Sequence, residues 1–122
     1  MIPKYRAWDK ETKTMNGMAE IYRNRNQEIE LRPRDGNIIL MQSTGLFDKN
    51  GKEIFEKDIL DYNGRKVIVK WHGSYASFIY EFVDELQNRK TEWKPLYLSY
   101  YHFKIIGNVY QNPELLELEV EE

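Results

Sequence analysis

The chain has 122 residues, of which 41% are hydrophobic, 14% aromatic and 31% charged, and it contains no cysteine. This length favours a single compact unit, and the aromatic content excludes a disordered chain. The lack of cysteine excludes disulfides, thiolate chemistry and cysteine-based zinc sites.

Charge and hydropathy indicate where the protein acts. The N-terminus lacks the apolar core of a signal peptide, and no apolar run reaches the length of a membrane span. We therefore expect a cytoplasmic protein with no membrane contact. Residues 1–107 carry a surplus of three positive charges, whereas residues 108–122 carry five acidic side chains and no basic one. Residues 1–107 are therefore far less basic than a typical nucleic-acid-binding domain.

The first half of the chain predicts two β-hairpins. Residues 4–8 alternate polar and apolar side chains and predict a first strand, and residues 13–15 predict its partner. Residues 28–32 and 38–42 predict two more strands, which an Asp-Gly turn separates. We expect these two to pair as a second hairpin.

The second half predicts a longer series of strands. Residues 59–62 and 65–71 flank Asn63–Gly64, a pair that suits a two-residue type I′ turn because both residues tolerate positive φ. Residues 76–82, 96–101 and 102–106 also predict strands. Asn112, Pro113 and Glu114 predict a helix start, with Asn112 as N-cap. We expect this short helix to dock through leucines, namely Leu115, Leu116 or Leu118.

Many short strands between Gly and Asn turns predict a mainly β fold. We place an N-terminal β-hairpin lobe with its connector at residues 1–57. Residues 58–122 form the second lobe. Their five-strand pattern suits a small barrel, and the short helix follows it.

Residues 44–60, TGLFDKNGKEIFEKDIL, raise the question of a ligand loop. A calcium loop that starts at Asp48 would place Lys52 at a ligand position and Ile59 where a bidentate Glu is needed, so the match fails. The glycine spacing also lacks the Gly-Lys-Ser/Thr of a phosphate loop. We interpret the stretch as a structural connector, in which Asp48 accepts backbone hydrogen bonds and Asp58 caps a turn.

This same stretch resembles the signature of the YopX-like proteins of bacteriophages and prophages. The opening residues KYRAWDKETKTM and the closing residues IIGNVYQNPELL are similar to the two ends of that family. The resemblance implies a β-rich fold with an SH3-like barrel in the second half and a phage or prophage setting, and it implies no catalytic motif. Lys57 stands where the family usually has Gly, so a positive φ there would strain the backbone.

Catalytic and metal-binding patterns are weak. His72 lies near Ser74, but adjacent residues of a turn rarely face each other. A metal site of His72 and His102 with Asp58 or Asp61 would require convergence from distant parts of the chain. We therefore expect a non-enzymatic protein with no cofactor and no metal.

Aromatic residues crowd the region after residue 70, and three interpretations stay open. These side chains fill the core, stack on nucleic-acid bases beside Lys and Arg, or bind an extended peptide. We predict a protein–protein interaction module that binds a protein partner or a second copy of itself and has no small-molecule substrate, with weak nucleic-acid binding as the alternative. The candidate binding surface consists of Arg65, Lys66, Lys70, Trp71, Tyr75, Trp93, Tyr97 and Tyr100.

Overall fold

The computed structural model describes residues 4–16, 21–23, 29–31, 38–85 and 93–117. The chain divides into two compact units, Met1–Ser43 and Thr44–Glu122. Both are built from antiparallel strands, and the helical segments in the described part are single 3₁₀ turns. The predicted mainly β class is confirmed. The lobe boundary drawn from the sequence after residue 57 stays a prediction.

The first unit is organised around strand β1 (Tyr5–Asp9). β1 pairs antiparallel with β2 (Thr14–Asn16), as the sequence predicted, and the Asp9 carboxylate accepts hydrogen bonds from two backbone N–H groups of the turn between them. On its other side β1 pairs with the first half of β5 (Ile38–Phe47). Ala7, Trp8 and Met41 are the buried apolar side chains described in this unit.

Strand β3 (Ile21–Arg23) and strand β4 (Ile29–Leu31) form a separate two-stranded ladder. The predicted hairpin between residues 28–32 and 38–42 is therefore wrong in its pairing, because β4 pairs with β3 and β5 pairs with β1. Strand existence follows from local alternation, whereas the choice of partner depends on contacts between distant segments.

The second unit contains the end of β5 and strands β6 (Glu53–Phe55), β7 (Asp58–Tyr62), β8 (Arg65–His72), β9 (Ser77–Phe82), β10 (Trp93–Pro95) and β11 (Lys104–Asn108). Five of these strands form an antiparallel sheet in the order β10-β9-β8-β7-β11. The structure contains one half-barrel, where the family resemblance implied an SH3-like barrel in this half of the chain.

The β7–β8 hairpin turns at Asn63–Gly64. Asn63 has φ +50° and Gly64 has φ +87°, so both central residues lie in the left-handed region that a type I′ turn requires. Tyr62 pairs with Arg65 across the turn. The predicted hairpin is confirmed.

Strand β8 separates two apolar clusters because successive side chains point to opposite faces of the sheet. Val67 and Val69 belong to the larger cluster, and Ile68 belongs to the smaller one.

The C-terminal helix is a 3₁₀ turn at Pro113–Leu116, where Asn112 makes no side-chain cap. Leu115 and Leu116 pack against the smaller cluster, as predicted, and Leu118 lies outside the described residues.

Residues 96–101 do not form the predicted strand. They fold into two consecutive 3₁₀ turns, Leu96–Leu98 and Tyr100–His102. Aromatic and aliphatic residues favour strands in general, but burial of Leu96 and Phe103 at the two ends draws this segment into turns.

Candidate binding surface

The 3₁₀ turns present an exposed apolar segment on the second unit. Residues 96–103, the aromatic segment, begin and end with buried anchors: Leu96 is 0% exposed and Phe103 is 1% exposed. Both anchors belong to the larger core cluster. Between them, Tyr97, Leu98 and Tyr101 are 57%, 59% and 55% exposed. The segment is thus anchored in the core at both ends, and the three large side chains between the anchors are exposed to solvent.

The backbone of the aromatic segment is ordered by its own hydrogen bonds. The Ser99 N–H donates to the Leu96 carbonyl at 3.0 Å, and the His102 N–H donates to the Ser99 carbonyl at 2.9 Å. At the end of the segment, the Lys49 N–H donates to the Phe103 carbonyl at 2.9 Å. These bonds fix the turns, so the exposed side chains project from a preorganised backbone.

Ring contacts extend this surface to the end of β7. The His102 ring lies 4.1 Å from the Tyr101 ring and 6.1 Å from the Tyr62 ring, between centroids. Tyr62 also packs edge-on against Phe103 at 5.4 Å. Tyr62 is itself partly exposed, which makes the aromatic surface continuous from the 3₁₀ turns to the β7–β8 hairpin.

The aromatic segment carries no formal charge, since residues 96–103 contain no Asp, Glu, Lys or Arg. The cores of protein–protein interfaces are depleted in charged residues and enriched in aromatic ones. Tyrosine adds a hydroxyl group that binds a polar partner while its ring buries apolar area. This composition suits the centre of a protein interface.

A second aromatic group lies at the end of β8. The rings of His72, Tyr75 and Trp93 contact one another, at centroid distances of 5.9, 4.7 and 4.9 Å for His72–Tyr75, His72–Trp93 and Tyr75–Trp93. His72 Nδ1 also accepts a hydrogen bond from the Tyr75 N–H at 3.2 Å. Tyr75 is the most exposed member of this cluster, which we call the aromatic triad.

The basic residues of the hairpin are largely paired with acids. Arg65 donates to both carboxylate oxygens of Asp84, with a shortest distance of 2.9 Å, and lies 3.7 Å above the Phe82 ring. Its hydrogen bonds to Asp84 raise the pKa of Arg65 above its ordinary value. Lys70 forms an ion pair with Glu81 at 2.9 Å.

The predicted surface is divided among separate places on the sheet. Tyr75 and Trp93 come together in the aromatic triad, whereas Trp71 packs against Phe78 at 5.0 Å. Arg65 lies at the opposite end of β8 from Trp71, about 20 Å away at the usual rise of a strand. Lys66 and Tyr100 are half-buried, and Tyr97 is exposed on the aromatic segment. A role in binding stays a prediction for all of these residues.

The opening of the second unit has a structural role, as interpreted from the sequence. Asp48 is buried, and its carboxylate accepts hydrogen bonds from the N–H groups of Asn50, Lys52 and Ile105 at 2.9, 2.8 and 3.0 Å. Burial acts to raise the pKa of Asp48, but these backbone hydrogen bonds prevail and hold the pKa below its ordinary value of 3.8. The bond to Ile105 joins the connector to β11.

Asp58 and Lys57 complete this connector. The buried Asp58 carboxylate accepts the Phe55 N–H at 2.8 Å and caps the turn, as predicted. Lys57 has φ +67°, so the position where the family usually has Gly does require the left-handed conformation.

No metal centre forms in the part of the chain that the structure describes. Within it, no group of three or more His, Asp and Glu side chains converges as metal ligands would. His72 and His102 are instead engaged with aromatic rings in separate clusters.

The chain is similar to a known protein family over most of its length. The family profile described as YopX protein matches residues 4–117. The chain belongs to the YopX family. Among solved structures, protein EF1440 from Enterococcus faecalis is similar, with 30% sequence identity and a TM-score of 0.60. That similarity covers 96% of this chain and 99% of EF1440.

One further comparison and one structural observation bear on this YopX-family protein. A search of curated proteins finds no match. Among the residues that the structure describes, no helix has the length and apolar character needed to cross a membrane.

Sequence reasoning did not place Leu98, Tyr101, His102 or Tyr62 on the candidate surface. The strand prediction for residues 96–101 would have placed Tyr97 and Leu98 on opposite faces of a sheet, so it gave no reason to expect both side chains to be exposed. The uncharged run between Lys94 and Lys104 is a weak signal, because residues 36–47 and 71–80 form longer uncharged runs in the same chain.

Proposed function

We propose that this YopX-family protein acts by binding another protein and that the aromatic segment, residues 96–103, is the contact surface. The protein has no catalytic role in this proposal. The family resemblance supports an accessory function in a phage or prophage, in the cytoplasm of a bacterial host.

The observation that carries the proposal is the exposure of Tyr97, Leu98 and Tyr101 in a segment without charge. Exposed large apolar side chains are common singly, but three within five residues form a patch, and such patches mark interaction sites. The buried anchors Leu96 and Phe103 hold the patch in place, so little backbone entropy is lost when a partner binds.

The size of the patch sets an expectation for affinity. A large aromatic side chain buries about 150–250 Å² when it is covered completely, so three side chains exposed by a little more than half offer about 300 Å². A standard interface buries about 800 Å² on each partner. The aromatic segment is therefore the centre of the proposed contact, and Tyr62 and His102 belong to its rim.

Weak nucleic-acid binding is the alternative, and the ion pairs disfavour it. Arg65 and Lys70 would supply phosphate contacts, but each is already paired with a carboxylate. Release from Asp84 or Glu81 would have to precede phosphate binding, which lowers the net gain. Stacking on Trp71, Tyr75 and Trp93 would still be available to single strands.

The test is affinity capture from host cells that carry the phage or prophage. Tagged wild-type protein is compared with the Leu98→Glu variant, which places a charge at the centre of the aromatic segment. Tyr75→Glu is the matched control, because Tyr75 is an equally exposed aromatic residue outside the segment. Ser74→Glu controls for added charge alone, since Ser74 is exposed in a turn.

We expect a partner that wild type, Tyr75→Glu and Ser74→Glu capture and that Leu98→Glu loses. Circular dichroism and thermal melts must first show that all four proteins are folded alike. Equal capture by Leu98→Glu would refute the assignment of the segment. Loss with Tyr75→Glu but not with Leu98→Glu would move the contact to the aromatic triad.

A further inference from the structure

Two Asn-Gly pairs lie in the described part of the second unit, and they differ in how their backbones are held. Asn50–Gly51 and Asn63–Gly64 are both exposed, and Gly51 and Gly64 have φ values of +81° and +87°. Side-chain crowding is the same at both, because a Cβ added to either glycine would meet nothing within 4 Å. The two turns differ instead in their hydrogen bonds.

The Asn50–Gly51 turn is fixed on both residues. The Asn50 N–H donates to Asp48 Oδ1 at 2.9 Å, and the Gly51 N–H donates to the Asp48 carbonyl at 3.0 Å. Asp48 is itself buried and is bonded to Lys52 and Ile105. Opening this turn would disturb the junction with β11.

The Asn63–Gly64 turn is held only by the strands on either side. Within residues 58–85, which the structure describes without a gap, the Gly64 N–H takes part in no hydrogen bond. The pairing of Tyr62 with Arg65 closes the hairpin. The two turn residues are thus free to move without breaking a bond of their own.

We propose that Asn63 is a site of spontaneous deamidation in the folded protein and that Asn50 is protected. The Gly64 backbone nitrogen attacks the Asn63 side-chain carbonyl carbon, and a new C–N bond closes a five-membered imide. The bond from that carbon to the amide nitrogen breaks, and the nitrogen leaves as ammonia with the proton lost by Gly64. Water then opens the imide to aspartate or isoaspartate, and no oxidant or reductant is needed.

Glycine makes the attack feasible because it has no Cβ to obstruct the approach of its nitrogen. The geometry of attack differs from that of a type I′ turn, so the backbone must first leave its resting conformation. Each hydrogen bond that must break lowers the population of this open state by a factor of several. Asn50–Gly51 must break two such bonds, whereas Asn63–Gly64 breaks none.

The product would change the hairpin itself. Isoaspartate inserts one additional carbon into the main chain of a two-residue turn, whose length sets the β7–β8 register. Either product also adds a negative charge next to Tyr62, at the rim of the aromatic surface. The isoaspartate product should therefore be less stable than the original protein.

The experiment follows both pairs by mass spectrometry. Intact folded protein is incubated for weeks in mildly alkaline buffer at growth temperature, and a second sample is incubated in concentrated urea. Trypsin then releases residues 58–65 with Asn63, and chymotrypsin releases residues 48–55 with Asn50. Each peptide is examined for the mass increase that replacement of the amide nitrogen by oxygen causes. Asn63→Gln serves as the negative control.

In the folded protein we expect Asn63 to be converted at least about tenfold faster than Asn50, because two hydrogen bonds protect the latter. In urea the ratio should fall toward one, since the same dipeptide is then unprotected at both places. Comparable rates in the folded protein would overturn the proposal. So would a ratio that is unchanged by urea, or no conversion of Asn63 in folded protein while the unfolded chain is converted.

Discussion

A hydrogen bond between Asp48 and Ile105 joins two segments that lie 57 residues apart in the sequence: the Ile105 N–H donates to Asp48 Oδ2 at 3.0 Å. The other oxygen, Oδ1, accepts the N–H groups of Asn50 and Lys52. One carboxylate thus closes the turn of the connector and fixes the start of β11. Phe103, two residues before Ile105, is the buried anchor that ends the aromatic segment, so this contact also supports the candidate surface.

Replacement of Asp48 by Asn should destabilise the protein by about 2–3 kcal/mol. The amide has only one acceptor oxygen, and its NH₂ group would face a backbone N–H donor, which leaves a buried donor unsatisfied. Urea unfolding measures the change. Asp61→Asn is the control: Asp61 is only half-buried, and we expect a change within about 0.5 kcal/mol. Equal effects of the two substitutions would show that the Asp48 network contributes little.

Acid should remove the contribution of Asp48. Its folded-state pKa lies below 3.8, so the native state binds fewer protons at this group than the unfolded chain does. The resulting stability is fully present above pH 3.8 and is lost as the pH falls through the folded-state pKa. The difference in unfolding free energy between wild type and Asp48→Asn should therefore shrink from about pH 6 to about pH 2. A difference that stays constant over this range would contradict the assignment.

Lys57→Gly should stabilise the protein by up to about 1 kcal/mol. Lys57 has φ +67°, where a side chain costs about 1–2 kcal/mol, and the greater flexibility of glycine in the unfolded chain offsets part of that gain. The matched control is Lys66→Gly in strand β8, where glycine should destabilise. Thermal melts distinguish the two, and a lower melting temperature for Lys57→Gly would be the wrong sign.

Gly107→Ala should destabilise by about 1–3 kcal/mol, as overpacking does. A Cβ at Gly107 would lie 2.5 Å from Asn112 Oδ1 and 2.9 Å from Leu115 Cδ1. Asn112 Oδ1 accepts the Asn108 N–H, so it cannot retreat without loss of that bond. Gly73→Ala is the control, because its Cβ would meet nothing within 4 Å. If both variants melt at the wild-type temperature, the C-terminal turn is not packed on Gly107 in solution.

The sequence was sufficient where local chemistry determines the structure. Asn63–Gly64 specifies its own turn, and the alternation from Val67 to Val69 orients β8, so the central hairpin could be predicted. The Asx-type role of Asp48 was also local. Its bond to Ile105 was not, because the turn pattern carries no information about a strand that lies far along the chain.

The candidate site was predicted less well for the same reason. Residues 96–101 have the composition of a strand, and only the burial of Leu96 and Phe103 in one core cluster makes them turn. The surface predicted from the sequence included Tyr97 and Tyr100, whereas the folded segment exposes Tyr97, Leu98 and Tyr101. Likewise, the pairing of Arg65 with Asp84 depends on side chains that lie 19 residues apart.

Nucleic-acid binding is expected to be weak and sensitive to salt. Fluorescence anisotropy with labelled single- and double-stranded oligonucleotides at about 50 mM salt gives contacts to phosphate the least screening. Replacement of Arg65 and Lys66 by Glu should abolish any such binding. Tight binding that survives high salt would place nucleic acid above a protein as the partner.

The most direct test of the central claim is the affinity of the captured partner for purified wild type and Leu98→Glu, measured side by side by isothermal titration calorimetry. Leu98 lies at the centre of the aromatic segment, and a buried charge there is strongly unfavourable. We predict that Leu98→Glu raises the dissociation constant at least about tenfold, the effect of a central interface residue. Tyr75→Glu should leave it within a few-fold of wild type. A dissociation constant that is the same for wild type and Leu98→Glu would contradict the assignment of residues 96–103 as the binding surface.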